Sequence, residues 1–520
     1  MADEPFVHPR RDPIKSSVGN VAAQRRRQHA ITVAKGRREA VVRTKRLCRA
    51  GVSGEADDPV TDGSDMMIDA EQSILEDQTC AAVEELKLSM SYQGKGAVQK
   101  RVAALRELRR LLSRSEFPPI EAAIKAGAIP LLVQCLSFGS PEEQLLEAAW
   151  CMTNIATGKP EETKALLPAL PLLIAHLGEK SSLPVAEQCA WAVGNVAGEG
   201  EDLRNILLSQ GALPPLARMM LPNKGSTVRT AAWALSNLIK GPDPKAATEL
   251  IRIAGVVEAI LRHLRKADEE LATEVAWVVV YLSALSNVAT SMLVKIDLLQ
   301  ILVERLGASN SLQLLIPVLR SIGNLVAGDD RIASTVLVTG QQITDFVIPA
   351  LTKCLKSEHR ILKKEAAWVM SNIAAGSVEH KKLVYSSEAV PLLLRLLATA
   401  PFDIRKEVAY VLGNLCVSPS EGSGRPHLIA DHLVSLVSQG CLPGFIDLVR
   451  SADIEAARLG LQFIELVLRG IPNGEGVKLV EKEDGIDAME RFQFHENEEL
   501  RCMATELVDK YFGEDYGVED

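Results

Sequence analysis

The stretch Ala148-Ala149-Trp150-Cys151-Met152-Thr153-Asn154 sets a pattern that returns through the middle of the chain. A Trp is followed four residues later by an Asn inside an apolar, Ala-rich run that predicts a helix, so both side chains leave one face a turn apart. We call the recurring pairs the ladder; the others, complete or altered, are Trp191/Asn195, Trp233/Asn237, Trp277/Tyr281, Arg320/Asn324, Trp368/Asn372 and Tyr410/Asn414.

The ladder is periodic. Its second members, at positions 154, 195, 237, 281, 324, 372 and 414, are separated by 41, 42, 44, 43, 48 and 42 residues. A period of about 40–47 residues in helical sequence is typical of HEAT and armadillo repeats, in which each helix cluster stacks on its neighbours. All five Trp of the chain stand in the ladder, so the sequence predicts an all-α solenoid.

Composition agrees with a solenoid and disfavours several functions. The chain has 520 residues, whereas a single core rarely grows past about 250–300 residues. Its nine Cys are scattered without a CxxC, which predicts reduced core thiols in the cytosol or nucleus. No apolar run approaches the length of a membrane span, so neither secretion nor membrane insertion is expected. We also expect no enzyme activity, no cofactor and no metal site, since no phosphate loop, triad or ligand spacing occurs.

Charge divides the chain into four segments. Residues 1–50 hold thirteen Lys and Arg against four acids, while the other 470 residues hold 45 basic against 63 acidic residues. The first segment predicts a basic arm that is disordered or conditionally helical and folds on a partner. We expect an acidic flexible linker over residues 51–90, the repeat solenoid over residues 91–512 and an acidic tail over residues 513–520.

The ladder also predicts a ligand. A buried Asn at every repeat would need several hydrogen-bond partners, which favours an exposed stripe. Stacked helices lie about 8–10 Å apart, close to three residues of extended peptide. Each Asn amide could then hold the peptide backbone, while slots between indoles accept Lys or Arg stems. The acids near the slots are Glu187, Glu199, Glu365 and Glu407. The predicted ligand is therefore an extended chain rich in Lys and Arg.

Altered pairs divide the ladder into two sites. The first three pairs are complete, whereas Tyr281 lacks the carboxamide and Arg320 replaces an indole by a cation that would repel a basic side chain. The pairs Trp368/Asn372 and Tyr410/Asn414 then restore a smaller site. A ligand with two basic clusters could bind both sites, the second at raised effective concentration.

The sequence resembles the importin alpha family of nuclear-import adaptors. The resemblance rests on these segments: Leu108-Arg109-Arg110-Leu111-Leu112-Ser113 with Pro118-Pro119-Ile120, Ala190-Trp191-Ala192-Val193-Gly194-Asn195-Val196-Ala197-Gly198, Trp233-Ala234-Leu235-Ser236-Asn237-Leu238, Lys363-Lys364-Glu365-Ala366-Ala367-Trp368 and His495-Glu496-Asn497. It implies a right-handed superhelical solenoid of about ten armadillo repeats. It also implies shuttling between cytoplasm and nucleus, with presence at the nuclear envelope.

The resemblance implies partners and site residues as well. Importin beta would bind the basic arm, at Arg25, Arg26, Arg27, Lys35, Arg37, Arg38, Arg43, Lys45 and Arg46. Cargo with mono- or bipartite nuclear localisation signals would bind a major site, formed by Trp150, Asn154, Gly158, Thr163, Gln188, Trp191, Asn195, Glu199, Trp233 and Asn237. The pocket for the key signal lysine would be Gly158, Thr163 and Glu199, the last standing where the family usually has Asp.

A minor signal site is implied at Tyr281, Arg320, Asn324, Glu365, Trp368, Asn372, Glu407, Tyr410 and Asn414. Tyr410 stands where Trp is usual, which predicts a weaker minor site. An export receptor would contact the carboxy-terminal helices and recycle the adaptor.

Two other functions compete with this interpretation. An armadillo scaffold for signalling or adhesion would bind acidic partners in a basic groove, whereas the acids and Trp slots here favour a basic ligand. Nucleic acid could bind the basic stretch 23–50, in which case binding would survive deletion of the solenoid. We expect no direct role in nucleic-acid binding.

Overall fold

The computed structural model describes residues 65–94, 96–114, 118–223, 225–294, 298–327, 344–418 and 427–513. The basic arm, the linker before residue 65 and the acidic tail from residue 514 lie outside the described residues. The described residues fall into two compact units, a first unit that ends at Ser291 and a second unit that begins at Met292.

The first unit is built from helices that follow one another with short connections. Its helices are Asp65–Ser91, Ala97–Leu112, Ile120–Lys125, Ala128–Cys135, Glu142–Ile155, Pro160–Lys164, the 3₁₀ turn Leu167–Ala169, Leu170–Ala175, Leu183–Glu199, Glu201–Ser209, Leu213–Met219, Ser226–Leu238, Lys245–Arg252, Val256–Arg265 and Glu269–Leu285. Helix Asn287–Val294 crosses the division between the units.

The second unit repeats this plan. Its helices are Leu298–Ala308, Leu312–Val326, Thr344–Leu355, Arg360–Ala374, Val378–Tyr385, Ala389–Thr399, Phe402–Leu415, Ala430–Ser438, Leu442–Val449, Ile454–Gly470, the 3₁₀ turn Pro472–Gly474, Glu475–Lys482, Gly485–Glu490 and Glu498–Phe512. The one exception to the predicted all-helical fold in the described part is an antiparallel pair of two-residue strands, Val417–Ser418 and His427–Leu428.

Every ladder pair lies within one helix, as the four-residue spacing predicts. We call these the ladder helices: Glu142–Ile155, Leu183–Glu199, Ser226–Leu238 and Glu269–Leu285 in the first unit, and Leu312–Val326, Arg360–Ala374 and Phe402–Leu415 in the second. Within each unit, every ladder helix packs against the next one along the chain. The repeat therefore stacks equivalent faces, and the predicted armadillo architecture is confirmed.

Glycines turn the chain between the shorter helices of a repeat. Gly127, Gly211 and Gly440 have φ angles of +85°, +80° and +86°, a left-handed conformation that glycine adopts without steric cost. A new helix begins within two residues of each, at Ala128, Leu213 and Leu442. In two cases Pro occupies the second position of that helix.

The predicted flexible linker is wrong from residue 65 onward. Helix Asp65–Ser91 packs against Ala97–Leu112 and buries one face, at Leu75, Thr79, Ala82, Val83, Leu86 and Ser89. These positions recur at helical spacing, whereas the acidic residues that suggested a linker, such as Glu84 and Glu85, lie on the exposed face. The number of charged residues alone does not reveal this apolar stripe.

The cysteines behave largely as the predicted core thiols. Six of the described cysteines are buried, whereas Cys80 and Cys502 are exposed. Burial raises the pKa of Cys135 to about 11 and that of Cys441 to about 12, because the thiolate would lose hydration. The buried thiols are therefore kept protonated at neutral pH.

No single helix among those described has the length and apolar character needed to cross a membrane. Helices Ala430–Ser438 and Leu442–Val449 reach that length only as a pair, bent by 88°. Among the described residues, no group of three or more His, Cys, Asp or Glu side chains could hold a metal ion.

Candidate functional site

The ladder asparagines bind the neighbouring repeat. In four repeats Nδ2 donates to a backbone carbonyl one ladder helix earlier. The bonds are Asn195 to Thr153 (3.2 Å), Asn237 to Gly194 (3.1 Å), Asn372 to Gly323 (3.0 Å) and Asn414 to Ser371 (3.1 Å). Each acceptor immediately precedes the ladder residue of its own helix. Asn154 differs, donating instead to the Ser113 hydroxyl at 2.9 Å.

These bonds correct the predicted role of the carboxamides. The sequence interpretation gave both the donor and the acceptor of each Asn to a ligand. In the structure one N–H of each of these amides is already used between repeats, and the amide oxygen of Asn237 also accepts from Lys240 Nζ at 3.3 Å. The asparagines therefore fix the register of adjacent ladder helices.

The ladder aromatics are more buried than an exposed stripe requires. Trp150 and Trp191 are half-buried, but Trp233 is 6%, Trp368 4% and Tyr410 3% exposed. The expectation of an exposed stripe is thus wrong for these three rings. One physical reason is stacking between repeats, since the rings of Trp191 and Trp233 stack with centroids 4.9 Å apart and 22° between their planes.

Glycines make room for the indoles. A Cβ added to Gly194 would lie 2.3 Å from the Trp233 ring, and one added to Gly323 would lie 2.2 Å from the Trp368 ring. Each glycine is also the carbonyl acceptor of the next Asn. Because glycine has no side chain, each of these positions leaves room for the Trp ring of the next pair. Its backbone carbonyl also accepts from the Asn of that pair.

We expect Gly323→Ala to lower the free energy of unfolding by about 1–3 kcal/mol, because a methyl group must displace a packed indole. The matched control is Gly307→Ala in helix Leu298–Ala308, where an added Cβ meets nothing within 4 Å. There the better helix propensity of Ala should leave stability unchanged or raise it by up to about 1 kcal/mol. Urea unfolding of both variants measures the difference in their free energies of unfolding. Equal values would contradict the close packing of the Trp368 ring against Gly323.

Glu187 and Glu365, which the sequence predicted to bind a ligand, are bonded to other side chains of the protein. Glu187 accepts hydrogen bonds from Ser226 (2.8 Å), Thr227 (3.3 Å) and Thr230 (3.1 Å) at the start of the next ladder helix. Glu365 lies 2.6 Å from a guanidinium nitrogen of Arg320, and both side chains are about nine-tenths buried. The predicted repulsion by Arg320 is therefore wrong as stated, since Glu365 compensates its charge.

The remaining two acids are placed differently. Glu199 is half-buried at the end of its ladder helix. Glu407 has one buried carboxylate oxygen, Oε2, that has no hydrogen-bond partner in the described part of the chain. A buried acceptor of this kind favours a donor from outside the solenoid.

A cationic side chain of the protein itself already lies over the Trp ring of the first ladder pair. The Arg109 guanidinium lies 4.3 Å from the centre of the Trp150 ring and pairs with Glu147 at 2.6 Å. Sequence reasoning quoted Arg109 only as part of a resemblance and missed Glu147. The spacing of 38 residues between them, close to one repeat period, is the signal that could have identified the pair.

The structure describes the surroundings of three predicted site residues near the first pair. Thr163 is 1% exposed, and its hydroxyl has no hydrogen-bond partner among the described residues. Gln188 donates to the Thr153 hydroxyl at 2.7 Å. Gly158 lies beneath the carboxylate of Glu162, whose Oε2 would be 2.3 Å from an added Cβ. A side chain at position 158 would therefore displace the Glu162 carboxylate, which accepts from the Lys159 amide before helix Pro160–Lys164.

Tyr410 is held by the next repeat. Its hydroxyl donates to Glu455 at 2.9 Å, and Lys406 pairs with Glu455 at 2.7 Å and with Asp453 at 3.0 Å. Among the other predicted second-site residues, Tyr281 is buried beside Trp277, with ring centroids 6.3 Å apart, and Asn324 and Asn372 are half-buried. The nine basic residues predicted in the arm lie outside the described residues.

Comparison with known proteins decides the family. The Armadillo/beta-catenin-like repeat model matches residues 116–157, 201–240, 341–375 and 377–417. Importin subunit alpha-9 of Arabidopsis thaliana is 73% identical over 520 residues, which is 100% of both chains. Importin subunit alpha-2 of Oryza sativa subsp. japonica is 63% identical over 516 residues, covering 99% of this chain and 97% of that protein. The chain belongs to the importin alpha family.

A solved structure agrees on the fold of this importin alpha. The crystal structure of an engineered protein from the Northeast Structural Genomics Consortium matches with a TM-score of 0.70 at 23% identity, covering 83% of this chain and 98% of that one. The relatives and the repeat model together show that this importin alpha is an armadillo-repeat protein of nuclear import.

Proposed function

We propose that this importin alpha is a receptor for nuclear localisation signals that links Lys/Arg-rich cargo to importin beta. One observation carries the assignment of the site: in the first unit, the half-buried indoles of Trp150 and Trp191 belong to one row of stacked ladder helices. An extended peptide crosses one helix spacing with about three residues. A Lys or Arg stem of the peptide can pack against the half-buried rings of Trp150 and Trp191, whereas the stacked rings of Trp191 and Trp233 leave no slot between them.

The row of ladder indoles favours a ligand with basic side chains for two physical reasons. An indole face attracts a cation over it, by about 0.5–2 kcal/mol depending on desolvation, and the structure displays such a contact between Arg109 and Trp150. Half-buried Glu199 adds negative charge at the end of the Trp191 helix. A ligand cation would therefore find both a flat apolar wall and an acid.

The second site is proposed at Trp368/Asn372 and Tyr410/Asn414 in the second unit. Two buried acceptor oxygens there, Glu407 Oε2 and Asn414 Oδ1, have no hydrogen-bond partner in the described part of the chain. A peptide N–H or a cationic side chain would satisfy them. Tyr410 offers a smaller ring than Trp and its hydroxyl is already bonded to Glu455, which supports a weaker site.

The basic arm is proposed to bind importin beta, and the carboxy-terminal helices to bind the receptor that exports the adaptor. Both roles fit a protein that shuttles between cytoplasm and nucleus and passes the nuclear envelope. We propose no catalytic function and no cofactor.

The test is titration of a fluorescein-labelled peptide with a run of five Lys and Arg against the full chain. Trp191→Ala should weaken binding at least tenfold, about 1.4 kcal/mol, because it removes one of the two half-buried indoles against which the basic side chains pack. The control is Phe494→Ala, an aromatic residue that is 89% exposed and outside the ladder, which should bind normally. Absence of binding by the unmodified chain, or equal binding by the Trp191 variant, would refute the proposal.

A further inference from the structure

The outward face of helix Asp65–Ser91 exposes a row of apolar side chains. Ile74 and Leu88 are 58% and 60% exposed, and Ala81, midway between them, is also exposed. The three residues recur every seven positions, so they lie in one row along the helix. At 3.6 residues per turn, the row lies about 140° around the helix from the centre of its buried face. We call these three residues the outer row.

Acidic side chains border the outer row. Asp77 and Glu84 are exposed on one side of it, and Glu85 is exposed on the other. Helix Asp65–Ser91 holds seven acidic residues and a single basic one, Lys87. Lys87 pairs with Glu84 at 3.3 Å, with both side chains more than half exposed. A second copy of this helix would bring like charges together, so the row favours a basic partner.

The sequence of the basic arm carries the complementary pattern. Its apolar residues recur in pairs every seven positions, at Val33/Ala34, Ala40/Val41 and Leu47/Cys48. On a helix these pairs would share one face. Basic residues stand between them in the sequence, with Arg37 and Arg38 between the first two pairs and Lys45 between the last two. The chain therefore contains a basic partner with the same spacing as the outer row.

The length of chain between the two segments favours an antiparallel pair of helices. Residues 51–64 join them, and as a flexible chain this length has an r.m.s. span of about 20 Å. In an antiparallel pair Cys48 lies beside Ile74, which at 1.5 Å per residue is about 14 Å from the start of the helix at Asp65. In a parallel pair Cys48 lies beside Leu88, about 35 Å from that start. Only the antiparallel arrangement is within the usual span of the connection.

We propose that residues 33–48 of the basic arm dock as a helix on the outer row, antiparallel to helix Asp65–Ser91, with Val41 opposite Ala81. This register places a large apolar side chain against a small one. It also brings Arg37 and Arg38 beside Glu84 and Glu85.

The docked arm lies on a helix outside the ladder, so the peptide site stays open while the arm is stored. Importin beta would have to take the arm from this helix, and its affinity for the full chain would include the cost of undocking. The inference goes beyond the proposed function and does not depend on peptide binding by the ladder.

Hydrogen exchange of residues 33–48 tests the docking in the full chain. Amide exchange there should be at least fivefold slower than in a synthetic peptide of residues 23–50, because a docked helix protects its amides. Ala81→Lys should abolish this protection, since it places a bulky cation in the row. The matched control is Ala398→Lys, which makes the same change at an exposed position of helix Ala389–Thr399 and should keep the protection.

A charge exchange tests the register without altering the row itself. Glu84→Arg/Glu85→Arg should remove the protection, and adding Arg37→Glu/Arg38→Glu should restore it. Thermal unfolding midpoints confirm that each variant folds. Exchange as fast as in the peptide, protection that survives Ala81→Lys, or no restoration by the charge exchange would overturn the proposal.

Two further results would assign the arm to another occupant or surface. Protection that is lost in Trp191→Ala would place the arm on the ladder. Protection that rises with protein concentration would mean that the arm binds a second copy of the chain. Either result overturns the docking proposed here, whereas failure of the labelled peptide to bind the unmodified chain overturns only the proposed function.

Discussion

Replacing Glu365 by Ala is expected to lower the free energy of unfolding by about 3–5 kcal/mol, the range found when one partner of a buried ion pair is removed. The carboxylate accepts from Arg320 Nε at 3.1 Å and from a second guanidinium nitrogen at 2.6 Å. The two side chains are only 10% and 8% exposed, so water screens their interaction poorly. Glu365→Ala removes the carboxylate that pairs with the buried guanidinium of Arg320.

The matched control is Glu475→Ala. Glu475 pairs with Lys478 at 2.8 Å, but these side chains are 55% and 70% exposed, and such surface pairs contribute about 0–1 kcal/mol. Guanidinium chloride unfolding of both variants provides the comparison, with the double variant Arg320→Met/Glu365→Met as a further check. The double variant should be more stable than Glu365→Ala, because no buried charge is left behind. A Glu365 variant no less stable than the Glu475 variant would contradict the assignment.

The Arg320–Glu365 pair shows what sequence reasoning could and could not supply. The period of the ladder follows from the spacing of Trp and Asn alone, and with it the repeat fold. The partner of Arg320 lies 45 residues away, about one period, so a search for opposite charges at the repeat distance would have found it. Arg320 was instead interpreted as a defect facing the ligand, since position on a helix face does not reveal which side chain opposes it.

The asparagines illustrate a different limit. Their register was predictable, but their acceptors are backbone carbonyls of Thr153, Gly194, Gly323 and Ser371. A main-chain carbonyl has no signature in the sequence, because every residue carries one. The argument that a buried Asn needs several partners was sound. It pointed to a ligand because the neighbouring helix, which supplies one of those partners, is not visible in a linear pattern.

Helix Asp65–Ser91 supports the second large prediction: Leu86→Ala should lower the free energy of unfolding by about 2–5 kcal/mol. Leu86 is fully buried, in a helix that packs against Ala97–Leu112 and Ala128–Cys135. Truncation of this side chain leaves a cavity where the helix packs against its neighbours. An acidic linker without fixed structure, as composition suggested, would tolerate the same change at no cost.

Leu88→Ala is the matched control because it makes the same chemical change two residues away, where the side chain is 60% exposed. Surface substitutions of this kind usually change stability by no more than about 0.5 kcal/mol, and the helix propensities of the two variants are the same. The two Leu→Ala variants therefore differ only in the face that they alter. Urea unfolding followed by circular dichroism should place the Leu86 midpoint well below that of the Leu88 variant. Coincident midpoints would mean that residues 65–91 do not form part of the cooperative core, and the acidic-linker interpretation would stand.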